Sequence, residues 1–155
     1  MYVFYRHDPI CLVLEHDGEK VNMLKFISEE KYWEHQALEL SHYFTNDIRK
    51  KLEGYFDGSL KDFDLPIIIN GSEFEEKVWA ETRKIPYGET ISYGELARRI
   101  GNPEAAQAVG QALGKNILLL LIPCHRVIGS DGELHGFAGG VDKKEWLLAH
   151  EAKHK

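Results

Sequence analysis

Cys124, His125 and Arg126 place a thiol, an imidazole and a guanidinium side by side, directly after an apolar run closed by Pro123. The thiolate is the attacking form of cysteine, and an ordinary thiol of pKa ~8.5 is mostly protonated at neutral pH. A nucleophilic Cys124 therefore needs a base and a group to orient that base. His125 can be the base. Neighbours in sequence seldom touch directly, so a water bridge between His125 and Cys124 is expected. The competing reading is a buried structural cysteine, the usual fate of a lone thiol. The Cys-His pair by itself leaves these two readings even.

The elements around the pair follow from pattern. Ile117 to Ile122 is an unbroken apolar run and is expected to be a strand buried on both faces, ending at Pro123 because proline cannot donate to a ladder. Residues 1–26 read as a β-hairpin, with His16-Asp17-Gly18-Glu19 turning between Ile10–Glu15 and Lys20–Phe26. Ser41 to Phe56 carries a helical apolar period ending in Asp57-Gly58, and Leu65 to Ile69 reads as a short strand. Ser72-Glu73-Phe74-Glu75 and Ser92-Tyr93-Gly94-Glu95 each read as a capping box opening a helix. Asn102-Pro103 is expected to start a third helix running to Gly114, with Asn at the N-cap and Pro first. Two short helices joined by a glycine-containing turn fit a helix-turn-helix. Ser130-Asp131-Gly132-Glu133 reads as a turn, Gly136 to Gly140 as a loop able to approach a ligand, and Val141 to Glu151 as an amphipathic helix.

Composition bounds the rest. A chain of 155 residues suits one domain or two small ones, and two widely separated cysteines make no disulfide framework. Reduced thiols point to a cytoplasmic setting. No apolar run approaches the ~20 residues of a membrane span, and Met1-Tyr2-Val3-Phe4-Tyr5-Arg6 lacks a signal-peptide layout. The net charge of −6 argues against simple polyelectrolyte binding to DNA, but it is uneven. Residues 1–64 carry 8 basic and 13 acidic side chains, whereas residues 90–128 carry 4 basic and 2 acidic. Such a small basic face could contact a few phosphates, with salt-sensitive affinity.

Asn116, Ile122-Pro123-Cys124-His125-Arg126-Val127-Ile128-Gly129, Gly136-Phe137-Ala138-Gly139-Gly140 and Lys144-Glu145-Trp146-Leu147-Leu148 together closely resemble the O6-alkylguanine-DNA alkyltransferases, also called methylated-DNA–protein-cysteine methyltransferases. The match extends upstream through Ile85-Pro86-Tyr87-Gly88-Glu89-Thr90 and Ser92-Tyr93-Gly94-Glu95-Leu96-Ala97, so it covers about half the chain. The resemblance implies an α+β and α/β protein: an N-terminal ribonuclease-H-like domain over 1–70, and a mainly helical DNA-binding and alkyl-acceptor domain with a helix-turn-helix over 71–155. It implies direct DNA repair in which Cys124 takes the alkyl group from O6-alkylguanine once and irreversibly, with O4-alkylthymine as a second substrate. His125, Glu151, Asn116 and Tyr93 would complete the catalytic set: a base, its orienting carboxylate, a brace for the loop, and a phenol donor to the leaving purine. Val127, Phe137, Ala138 and Gly139 would line the base. Ala105, Ala106, Gln107, Ala108, Gly110, Tyr93 and Lys115 would face double-stranded DNA through the minor groove, which is too narrow for bulky side chains, with the alkylated guanine flipped out. The protein would act as a monomer, with no cofactor and no membrane partner.

Some family members carry zinc in the first domain. Here His7, Cys11, His16, His35 and His42 fit no standard zinc spacing, so no metal is expected. Three positions depart from the family pattern. Gln107 stands where Arg is usual, as the finger that fills the space of the flipped nucleotide. Ile117 replaces Pro, and Phe137 replaces Tyr. The alternatives are a non-catalytic lesion binder, which would typically carry Trp in place of Cys124, a transcriptional helix-turn-helix module, and a Cys-His hydrolase that turns over.

Overall fold

The computed structural model describes residues 1–40, 42–134 and 139–155. It divides into two compact units, one of residues 1–68 with 117–121 and one of residues 69–116 with 122–155. Helices and short strands are mixed throughout, an α+β arrangement.

The first unit is built on three antiparallel strands, β1 (Tyr2–His7), β2 (Ile10–His16) and β3 (Val21–Phe26), in that order. Val3, Ile10, Leu12, Leu14, Val21 and Leu24 supply the buried apolar side chains. Helix α1 (Glu29–His35) buries nothing, while α2 (Tyr43–Asp57) buries Phe44, Ile48, Leu52, Tyr55 and Phe56 at helical spacing. The His42 ring caps α2 by accepting from the Phe44 N–H, and Gly58 at φ +83° ends it. The outer edge of β1 is closed by an ion pair: the Phe4 N–H donates to Glu39 Oε2 at 2.8 Å, and Arg49 Nη2 donates to the Phe4 carbonyl at 3.1 Å.

Two expected strands are absent. Leu65 to Ile69 contributes a single bridge, Ile67 beside Val21. Ile117 to Ile122 is not a strand: only Leu118 bridges, to Leu24, and the chain then turns with Leu120 at φ +69°. The backbone of Leu24 pairs with the start of this run, donating to the Ile117 carbonyl at 2.8 Å and accepting from the Leu119 N–H at 3.1 Å. Leu118 to Ile122 are nevertheless all buried, so the run records burial and not extension.

The second unit opens with α3 (Glu73–Thr82), whose capping box is complete: Ser72 Oγ accepts from the Glu75 N–H and Glu75 Oε1 from the Ser72 N–H. Trp79 of α3 donates its indole N–H to the Ala112 carbonyl at 2.9 Å in α5 (Ala106–Gly114). Helix α4 (Tyr93–Arg99) has only half of its expected box. Ser92 Oγ accepts from the Glu95 N–H, but the Glu95 carboxylate turns outward to Arg98 and Arg99. α5 starts at Ala106 and not at Pro103, because Asn102 closes a turn instead, its carbonyl accepting from the Ala105 N–H. β4 (Ile91–Ser92) pairs in parallel with β5 (Val127–Ile128), and α6 (Val141–Lys153) completes the unit. No described helix is long and apolar enough to cross a membrane.

Candidate active site

Pairing of β4 with β5 sets the geometry. Ser92 ends β4 and caps α4, so Tyr93 begins that helix next to the strand that follows Cys124-His125-Arg126. Those three residues form a single tight turn after Pro123. Asn116 closes the turn from the other side, its Nδ2 donating to the Ile122 carbonyl at 2.9 Å and to Cys124 Sγ at 3.2 Å.

Cys124 is buried. Burial pushes its thiol up to about 11, against the hydrogen bond from Asn116 and the charge of Lys144, which both favour the thiolate. His125 is fully buried, with Nε2 2.6 Å from Glu151 Oε2. A carboxylate only accepts, so Nε2 carries the proton and Nδ1 is left with its lone pair. Nδ1 is buried without a hydrogen-bond partner among the described residues. Burial lowers the imidazole pKa despite the Glu151 contact, which keeps the ring neutral.

Glu151 is the most heavily bonded group in the site. It also accepts from Arg126 Nε at 2.8 Å, Arg126 Nη2 at 3.1 Å and the Gly88 N–H at 3.2 Å. Burial alone would raise its pKa, but the bonds and charges of His125 and Arg126 outweigh that and hold it well below the usual carboxylate range. Arg126 reaches on to the Ile85 carbonyl at 2.8 Å, tying the break after α3 to the same cluster.

Lys144 belongs to the site, although its sequence position did not single it out. Its ammonium is buried, donates to the Val127 carbonyl at 2.6 Å, and lies 3.5 Å from the Tyr93 hydroxyl. The signal was available in α6: Lys144, Leu147 and Glu151 share one helical face, and all three are buried. Burial lowers the Lys144 pKa, opposed by the facing Cys124, and burial raises that of Tyr93.

Of the other expected residues, Val127 stands in β5 with its carbonyl held by Lys144, and Gly139 lies just before α6. Phe137 and Ala138 lie outside the described residues. Ala105 precedes α5, whose first turns carry Ala106, Gln107, Ala108 and Gly110, while Lys115 caps its end and pairs with Glu75 at 3.3 Å. A cavity of about 660 Å³ opens between Tyr93 and Gly94 of α4, Ala106, Gln107, Gly110 and Gln111 of α5, and the turn Gly129-Ser130-Asp131. Among the described residues, no group of three or more His, Cys, Asp or Glu side chains could hold a metal.

Known proteins resemble this chain over most of its length. Residues 73–153 match the family model described as 6-O-methylguanine DNA methyltransferase, DNA binding domain. A methylated-DNA–protein-cysteine methyltransferase of Methanosarcina acetivorans is 43% identical over 144 residues, 92% of this chain and 91% of the relative. One of Methanosarcina barkeri is 44% identical over 97% of both chains. The crystal structure of Mycobacterium tuberculosis OGT in complex with DNA superposes with a TM-score of 0.83 at 35% identity, over 99% of this chain and 93% of that one. With a family model over half its length and relatives matched nearly end to end, the chain belongs to the methylated-DNA–protein-cysteine methyltransferase family.

Proposed function

We propose that the protein repairs DNA directly, moving the alkyl group of O6-alkylguanine to Cys124 in a single irreversible turnover. The observation that carries this reading is the buried Cys124 thiol beside a neutral His125 whose outer nitrogen is fixed by Glu151. In the step itself, Sγ attacks the alkyl carbon in line, the S–C bond forms, and the C–O6 bond breaks with its electron pair going to the purine. The thiol proton passes to His125 Nδ1 through a bridging water. The departing guanine is met by the Tyr93 hydroxyl, whose oxygen lies 3.5 Å from the Lys144 ammonium. Asn116 and Lys144 stabilise the thiolate as it forms. The product is a thioether, which water does not readily cleave, so the protein acts once, and the substrate itself carries the group transferred, so the reaction calls for no cofactor.

In this reading α4, the turn and α5 form a helix-turn-helix, and α5 with its small residues enters the minor groove while the alkylated nucleotide is extruded. The first unit is read as ribonuclease-H-like from its antiparallel sheet and long helix. Two unbridged, buried cysteines suit a reducing cytoplasm and a monomer.

Intact-protein mass after mixing with duplex DNA containing O6-methylguanine tests the reading. A permanent gain of one methyl group, mapped to the Cys124 peptide and lost in Cys124→Ala, is expected. Methyl found on Cys11 overturns the assignment, and tight binding without any gain makes the protein a lesion binder.

A further inference from the structure

The cavity beside Tyr93 has a chemistry that the transfer step does not use. Gln107 and Gln111 stand one helical turn apart on α5, share a face, and are both exposed. Both residues line the cavity, and neither is among the described residues holding a side-chain bond. Among the described residues, no Lys or Arg lines it. The cations nearest in sequence are already committed: Arg98 and Arg99 to Glu95 at 2.5 and 3.2 Å, and Lys115 to Glu75 at 3.3 Å. A duplex laid against α5 therefore meets free amides where a basic helix would offer charge.

A carboxamide carries an acceptor as well as two donors, whereas ammonium and guanidinium only donate. In the minor groove, purine N3 and pyrimidine O2 accept, and the guanine N2 amine is the one donor. Only a group with an acceptor can be rewarded by that amine, and an amide can take N2–H and N3 together. We infer that Gln107 and Gln111 form a paired-carboxamide reader of the guanine minor-groove edge in the base pair flanking the lesion. The inference rests on the DNA-repair reading and adds a sequence preference to it. Gly110, between the two amides, supports close approach: a Cβ there would meet only the Tyr93 ring at 3.8 Å, so the helix surface is already low at that point.

Replacing the flanking guanine by inosine removes the N2 amine and leaves the rest of the pair. Duplexes carrying O6-methylguanine flanked by G·C or by I·C are compared for affinity by fluorescence anisotropy on Cys124→Ala, and for transfer rate on the wild type. The G·C duplex is expected to be favoured about 5-fold in both, the lower end for one two-bond base contact. Gln111→Ala and Gln107→Ala should each bring the ratio towards one. An affinity ratio near one with both glutamines in place on Cys124→Ala, or a preference that survives both glutamine substitutions, overturns the inference. Free O6-benzylguanine with the wild type separates the two levels. Transfer from it with a flat G·C to I·C ratio removes the reader and leaves the repair reading. No alkyl on Cys124 from either source removes the repair reading, while the anisotropy ratio still decides the reader.

Discussion

Burial holds Cys124 as a thiol, while Asn116 and Lys144 beside it favour the thiolate that the transfer needs. Burial raises its pKa to about 11, so at neutral pH the charged form is rare without transfer to His125. Two expectations follow for titration of the ultraviolet thiolate absorbance. The Cys124 band should develop only as pH approaches that value. Asn116→Ala should move it higher still, because the lost Nδ2–H bond stabilised the thiolate. A Cys124 band that appears near the ordinary ~8.5 contradicts the assignment. Glu151 presents the opposite case. Its folded pKa is depressed, so its contribution to stability is full above the unfolded value of ~4.3 and is lost as pH falls through the folded value. Glu151→Gln should therefore flatten the acid limb of a denaturation–pH profile. At neutral pH it should cost about 3–5 kcal/mol, since it strips the buried Arg126 of its charge partner. A loss below about 1 kcal/mol in urea denaturation at neutral pH would count against the network.

If α4 and α5 carry the proposed DNA contact, they do so under an electrostatic restraint that sits within the elements themselves. Glu95 takes both Arg98 and Arg99, within one turn, and these pairs are solvent-exposed. Any phosphate contacting either arginine must compete with that carboxylate. Glu95→Gln should release the pair, tighten duplex binding about 2–5-fold, and steepen the log–log salt slope by about one unit for each new phosphate contact. Salt titration by anisotropy checks this, and an unchanged slope means that the arginines stay off the backbone. Local chemistry of this kind was legible in the sequence where the deciding partners lie within a turn, as in the Ser72–Glu75 box. It was not legible where partners compete. Glu95 had two arginines to choose over its own cap, and Asn102 closed a turn before the helix could start. Lys144 escaped notice because a lysine in an amphipathic helix is ordinarily solvated, and its partners, the Val127 carbonyl and the Tyr93 ring among them, lie far away in sequence.

At the scale of the whole molecule, the chain folds its first unit from two separated stretches. Residues 117–121 belong to it, although they are flanked on both sides by the second unit. Nothing local in five apolar residues says which unit they join, since an apolar run records only that it is buried. The junction immediately precedes Pro123-Cys124, so the segment that completes the first unit also leads into the reactive turn. A fragment ending at residue 70 retains all three strands and α2 but loses this segment. It leaves the Leu24 N–H and carbonyl without Ile117 and Leu119, and it removes four leucines that are each no more than 5% exposed. Burying a leucine contributes about 1.5–3 kcal/mol, so four exceed the lower part of the ~5–15 kcal/mol by which a domain is stable. The fragment should therefore show no cooperative urea transition by circular dichroism, although the strand sequences are intact. A sigmoidal transition at the midpoint of the full chain would mean that the first unit is complete by residue 70, and that Ile117–Leu121 merely lies against it.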